Sequence, residues 1–301
     1  MQQKSLADAK LVTEAAGIFT MFPWEGNKSK HAYLEVNIPV KWSAELASKL
    51  PIASPPALRR SVWFNGGDTS VAIASVEEIQ LLFDGVQLDD LLMTDVWFSD
   101  QALHLMRAHP LDVRSLDAGW YEEGSPSTSQ IVQLLRCAPL LEHAELWHDS
   151  LKPNALVIEN GLEHLKSLEV EFVFDSGYGN LVISNLPMLA SVRLDGNHTN
   201  HRFSMDIQNC PLLESVEVSG VDPNRKFWKS IASLPHLRRL KIVDAFCDSP
   251  PNLELASNLR NLQSLTIDRC DVCQQLANSL RDLDLPNKSL GNLYTPDQIG
   301  E

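Results

Sequence analysis

A short apolar phrase recurs along this chain at a nearly constant interval, and this repetition constrains the fold more than any other feature. In Leu186-Pro-Met-Leu189-Ala-Ser-Val192-Arg-Leu194, apolar residues fall at offsets 0, 3, 6 and 8. The same offsets hold for Ala138, Leu141, Ala144 and Leu146, and for Leu162, Leu165, Leu168 and Val170. They hold again for Cys210, Leu213, Val216 and Val218, for Leu234, Leu237, Leu240 and Ile242, and for Leu259, Leu262, Leu265 and Ile267. The six starts are separated by 24, 24, 24, 24 and 25 residues. One match is weak, but six nearly in register mark a repeat architecture. Weaker copies read at Leu88-Leu91-Thr94-Val96 and Pro110-Val113-Leu116-Ala118. Residues 55–64 (PPALRRSVWF) are similar to LPHLRRLKIV further on, and Ala277-Leu280-Leu283-Leu285 reads as a short last copy.

Offsets 6 and 8 alternate, as in a strand with every second side chain turned inward. Offset 3 covers the same core. One repeat alone cannot bury that face, whereas neighbouring repeats share a continuous core. The expected fold is therefore α/β, a repeat solenoid whose strands form a parallel sheet while the rest of each repeat returns behind it. Apolar residues at helical spacing predict helices in the returns at 76–83, 100–108, 129–137 and 226–233. The segments 180–187 and 204–211 alternate instead and predict short extended or irregular returns. Prolines 139, 187, 211 and 235 each follow offset 0, where they end the return and remove a donor before the strand.

The repeated phrase resembles the LxxLxLxx(N/C)xL motif of the leucine-rich-repeat family. The resemblance spans about residues 55–290 and is strongest over 138–270. The motif's Asn/Cys position is matched by Asn197 and, in its repeat, Cys270, and is otherwise occupied by Asp149, Val173, Val221 and Ala245. The resemblance implies a leucine-rich-repeat solenoid, a curved horseshoe with its parallel sheet concave and mixed helical and irregular segments convex. It divides the chain into an N-terminal capping region (1–54), a solenoid of about eight to ten repeats (55–290) and a polar tail (291–301). Within the cap, 33–40 (YLEVNIPV) reads as a leading strand and 43–50 as a short helix. Members of the family include protein-binding scaffolds, ubiquitin-ligase adaptors and bacterial effectors.

In this register offsets 5, 7, 9 and 10 face solvent on the concave side. Offset 7 then carries Asp95, Asp117, Glu145, Glu169 and Arg193; offset 9 carries Trp97, Trp147, Glu171 and Asp195; offset 10 adds Phe98, Trp120, His148 and Phe172. Tryptophan at a solvent-facing position is not needed for a core, and aromatic side chains anchor partners at low entropic cost. The candidate partner-binding set is Trp97, Trp120, Trp147, Glu145, Glu169, Glu171, Arg193 and Asp195. Two readings stand side by side: the tryptophans anchor a partner, or they pack on one another or beneath a loop. A slip of one residue in the repeats at 88 or 110 would turn Trp97 inward.

The formal net charge of −14 disfavours nucleic acid and anionic lipid and favours a protein or peptide partner with basic character. No apolar run reaches ~18 residues, and no secretory signal is legible at the start. Five cysteines at irregular spacing fit reduced thiols and a cytoplasmic location, with signal-independent secretion left open. The oligomeric state is not legible. Cys270-Asp-Val-Cys273 is a lone CxxC, and a structural zinc site needs four ligands. His198 and His201 fall in a polar return. No nucleophile triad or phosphate loop can be assembled. The expectation is a non-catalytic binding scaffold without metal or cofactor, or a substrate-recognition arm of a larger regulatory assembly.

Overall fold

The computed structural model describes residues 19–23, 31–37, 59–65, 71–73, 88–121, 126–148, 155–172, 178–196, 202–220, 225–247, 259–272, 278 and 280–294. The predicted helices at 76–83 and 43–50 lie outside them, as do His198, His201 and Cys273. The chain divides into two compact units, Met1–His148 and Asp149–Glu301.

In the second unit the phrase folds as its spacing requires. Strands Ser167–Phe172, Ser191–Asp195, Ser215–Ser219, Arg239–Val243, Ser264–Asp268 and Asn287–Leu290 follow one another in a parallel sheet. The register joins equal offsets. Leu168, Val192, Val216, Leu240 and Leu265 form one row, and Val170, Leu194, Val218, Ile242 and Ile267 another. All ten are buried, while the residues between them are half-buried or exposed. Before several of these strands a tight turn closes between offset 0 and offset 3. Leu189 N–H donates to Leu186, Leu213 to Cys210 and Leu262 to Leu259, at 3.4, 3.2 and 3.1 Å. Pro187 and Pro211 occupy the second position of such turns, where a fixed φ suits the backbone.

The returns at 180–187 and 204–211 are more regular than the sequence suggested. They are strands, Tyr178–Ser184 and Arg202–Gln208, and with Ala155–Glu159 they form a second parallel sheet. That sheet also buries alternate residues, including Leu156, Ile158, Leu181, Ile183, Met205 and Ile207. Of the two expectations the extended one holds, and the alternation is strand pairing repeated every 24 residues. Each of these strands ends at an asparagine with positive φ: Asn160, Asn185 and Asn209, at 50°, 56° and 52°. Asparagine tolerates the left-handed region better than most residues. Asn209 Nδ2 donates to Asn185 Oδ1 at 2.9 Å, linking successive corners. In the next repeat a helix, Arg225–Ser233, takes the return's place. It packs against Arg202–Gln208, and Ser230 Oγ accepts the Ile207 N–H at 3.2 Å. The helix thus satisfies part of that strand's edge.

Gly196 shows how closely the repeats approach. Its N–H donates to Ser219 at 2.8 Å, and a Cβ there would fall against the Gly220 carbonyl oxygen. A side chain at 196 would force backbone apart.

The first unit is also mainly parallel. Arg59–Asn65, Leu88–Thr94, Val113–Trp120 and His143–His148 pair in that order, with His31–Asn37 beside Arg59–Asn65 and Phe19–Pro23 antiparallel to it. Helices α1 (Asp100–Ala108) and α2 (Thr128–Arg136) occupy two returns at the places expected. Ser99 Oγ accepts Ala102 N–H at 3.2 Å, and Ser127 and Gln130 form a reciprocal capping box.

Three weak copies need a different register, while the one read at 110 keeps its own, with Leu116 and Ala118 opposite Ala144 and Leu146. Leu116 and Ala118 stand opposite Leu91 and Met93, so the phrase read at 88 begins three residues earlier. Val62 and Phe64 stand opposite the same pair, one residue off the alignment with LPHLRRLKIV. At the other end Lys288 and Leu290 stand opposite Leu265 and Ile267. The copy read at 277 therefore precedes the strand: Leu280, Leu283 and Leu285 are buried, but the last strand is Asn287–Leu290. The tail expected from 291 is paired at its start, with Leu293–Tyr294 beside Cys270–Asp271. Among the described residues no helix is long and apolar enough to cross a membrane.

Leu194 is 1% exposed in the middle of an apolar row. Leu194→Ala is expected to cost about 2–5 kcal/mol of stability in urea unfolding, through lost burial and an unfilled cavity.

Candidate functional site

Strand geometry separates the candidate residues into those that face solvent and those that do not. Offsets 6, 8 and 10 share parity, so a strand that continues through offset 10 turns that side chain inward. Trp120, His148 and Phe172 are all buried, at 1%, 2% and 0% exposed; Phe98, 2% exposed, falls beyond offset 10 once its copy is shifted and belongs to the short strand Val96–Phe98. The expectation that offset 10 faces solvent is corrected by this period. Trp120 is a core residue: its Nε1–H donates to the Val96 carbonyl at 2.7 Å, and its ring lies 6.0 Å from that of His148. Elsewhere offset 10 is a corner with positive φ, as at Gly220, Asp244 and Arg269. Arg269 makes two 2.6 Å bonds there to the carboxylate of Asp244.

Trp97 and Asp95 leave the proposed face for a different reason, the three-residue register change. Asp95 is a buried corner residue with φ of 52°. Its N–H donates to Gly119, and its Oδ1 accepts the Tyr121 N–H at 2.7 Å. Trp97 lies in the short strand Val96–Phe98, which pairs with Val71–Ile73, and is half-buried. It is not on the sheet that carries Trp147.

What remains on the solvent side of the first unit is a compact set. Leu92, Asp117 and Glu145 form one row, and Thr94, Gly119 and Trp147 the next. Asp117 and Glu145 are half-buried with like charges on directly opposed positions. Gly119 carries no side chain, and the Tyr121 ring occupies the space: a Cβ on Gly119 would lie 3.1 Å from it. Tyr121 is 42% exposed and meets Trp147 edge to face, with centroids 6.4 Å apart and planes at 78°. The Trp147 Nε1 is buried and has no hydrogen-bond partner among the described residues. Tyr121 was missed by the sequence reading because it lies past the offsets considered. The only signal for it was its place directly after Trp120.

In the second unit the offset-7 row reads Glu169, Arg193, Glu217, Lys241 and Thr266. Arg193 bridges Glu169 at 2.9 Å and Glu217 at 3.9 Å, and Lys241 reaches Glu217 at 2.5 Å. These exposed pairs each contribute about 0–1 kcal/mol, so their main effect is to neutralise the row. Glu171 and Asp195 stand opposite each other at offset 9, both half-buried.

Among the described residues the cysteines form no reactive arrangement. Burial pushes the thiols of Cys137 and Cys270 up to about 11 and raises that of Cys210. Protonated buried thiols are poor nucleophiles and poor ligands. Cys247 stands opposite Val272 in the register, not opposite Cys270. Among the described residues no group of three or more His, Cys, Asp and Glu could hold a metal ion.

Comparison with known proteins adds no assignment: no family model matches the chain, and no curated protein matches it.

Two expectations follow. Trp120→Ala should cost about 3–5 kcal/mol in urea unfolding, as for a fully buried aromatic residue, while Trp147→Ala should cost clearly less. Equal losses would place Trp147 in the core. The second concerns His148, whose Nε2–H donates to the Pro126 carbonyl at 3.2 Å and whose pKa is lowered, chiefly by burial. The unfolded chain takes up a proton near its ordinary value of 6.5, which the folded imidazole resists. This contribution to stability is present above that pH and declines as pH falls through it. His148→Gln should flatten that part of the stability–pH curve measured by thermal unfolding.

Proposed function

We propose that this chain is a leucine-rich-repeat solenoid that works as a non-catalytic scaffold, holding a protein or peptide segment against the solvent face of its main sheet. The carrying observation is the Trp147–Tyr121 pair over Gly119, beside the Asp117 and Glu145 row. A half-buried aromatic pair offers contact area at little entropic cost. The adjacent carboxylates favour Lys or Arg on the incoming segment, and the overall charge of −14 speeds its approach.

The rest of the candidate set takes graded roles in this reading. Glu171 and Asp195 add acidity on the second unit's face. Glu169 and Arg193 are engaged with each other, so they shape the surface more than they attract a charge. Trp120 supports the sheet from beneath. Trp97, in its separate short strand, is not part of the proposed contact. The reading requires no metal, cofactor or covalent step.

A peptide array of random sequence, probed with the purified chain, tests this. Bound peptides should be enriched in Lys and Arg, and capture should fall as salt rises. Trp147→Ala and the double variant Asp117→Asn/Glu145→Gln should each weaken capture about tenfold, the loss of one interface anchor, while leaving unfolding cooperative. Capture of acidic and basic peptides alike, unchanged by both variants, would overturn the reading.

A further inference from the structure

The second unit carries a basic and apolar surface that the acidic composition hides. Strand Arg239–Val243 is preceded by His236 and Arg238, and His236, Arg238, Arg239 and Lys241 are all exposed. Lys241 is committed to Glu217. Arg238 and Arg239 differ: neither guanidinium has an ion pair or side-chain hydrogen bond among the described residues. Two guanidiniums without such a partner among the described residues are unusual in a chain where acids outnumber bases 39 to 25.

An apolar edge adjoins them. Two of the few large apolar side chains that are exposed, Met188 at 42% and Leu212 at 44%, sit at offset 2 of consecutive repeats. His236 is the same position one repeat further on. The register fixes their spacing. Ser191, Ser215 and Arg239 are direct partners, and Glu214 N–H and Arg238 N–H donate to the offset-4 carbonyls of the preceding repeats at 2.9 Å. Successive members of the offset-2 row therefore stand about 4.8 Å apart, the strand separation. Met188 and Leu212 lead along the row to His236, with Arg238 just before the strand that follows and Arg239 at its start. The strand's own turn explains the exposure: offsets 0 and 3 point inward, and offset 2 is left outside.

We infer that this edge is a docking surface for an acidic protein segment that also carries aliphatic side chains. Its carboxylates would meet Arg238 and Arg239, whose planar forks suit two-point binding of carboxylate. Its apolar side chains would cover Met188 and Leu212. Charge complementarity selects this occupant. The guanidiniums supply attraction for carboxylates locally, and the adjoining Met188 and Leu212 suit aliphatic side chains of a polypeptide, which a polyanion such as nucleic acid lacks. Glu214, exposed in the row beside Arg238 and not paired with it, is the local obstacle, and it disfavours segments with uninterrupted negative charge. This surface is separate in composition from the Trp147 and Asp117 face and takes a partner of opposite charge.

Fluorescence anisotropy on the full chain tests the inference, with a labelled twelve-residue peptide of Glu, Leu and Ser as probe. Saturable binding is expected, weakened about tenfold or more by Arg238→Glu/Arg239→Glu, as for charge pairs across an interface. The milder Arg238→Gln/Arg239→Gln pair should show a smaller loss, Leu212→Ser a several-fold loss, and Glu214→Gln a gain. Trp147→Ala should leave this binding unchanged even where it abolishes capture of basic peptides, so the two surfaces fail separately. Absence of saturable binding, binding indifferent to both arginine pairs, tighter binding of a single-stranded oligonucleotide, or sedimentation showing the edge buried between two copies would overturn it.

Discussion

An offset-6 or offset-8 side chain is buried because the same offset of the next repeat lies beside it, and this lateral pairing holds the rest of each unit in place. No single repeat encloses a core. Leu168 is covered through Val192, and Val192 through Val216, so each strand depends on its neighbours for the burial that offsets its ordering. The tight turns before the strands and the left-handed corners after them keep successive repeats in phase. Where phase is kept, rows of like character form without further instruction: apolar rows inward, and the alternating Glu169–Arg193–Glu217–Lys241 row outward.

The same pairing shapes the functional surfaces. Outward rows gain their chemistry from which residue each repeat contributes, so small differences between copies become local sites. A glycine at 119 makes room for the Tyr121 ring, which then supports Trp147. A basic residue at 238 and another at 239, where the two preceding repeats hold Ala190 or Glu214 and serine, create a cationic spot. Neither site needs a departure from the repeat geometry. The resulting surfaces have opposite electrostatic character, and in the proposed reading each takes a segment of the opposite charge.

Much of this was legible in the residues, and the exceptions have physical reasons. Offsets 3, 6 and 8 located the strands from 138 to 267 because a half-buried strand must alternate. The helices at 100–108, 129–137 and 226–233 were visible in their apolar spacing. The strand returns at 178–184 and 202–208 were visible as alternation, but nothing local said that they pair with each other 24 residues apart. Asn185 and Asn209 were the available clue, a corner residue repeated at the repeat length. The weak copy at 110 kept its phase, but those at 88 and 277 did not, because LxxLxL matches are cheap. Leu88-Leu91 and Leu280-Leu283-Leu285 supplied apolar residues at the right spacing in the wrong phase, and only lateral pairing fixes phase. That error carried Asp95 and Trp97 away from the expected face. Trp120 was misplaced by a simpler fault: offset 10 has the parity of offsets 6 and 8, and a large aromatic residue there belongs to the core.

The parallel, in-register sheet of the second unit underlies all of this, and a distance across it tests it most directly. Spin labels carried on non-canonical residues at positions 169 and 266 report the separation across four strand steps without disturbing the buried thiols. Pulsed electron resonance should give a narrow distribution consistent with backbones about 19 Å apart, four spacings of ~4.8 Å. A broad distribution, or a separation beyond about 30 Å, would mean that these strands do not lie side by side in this order.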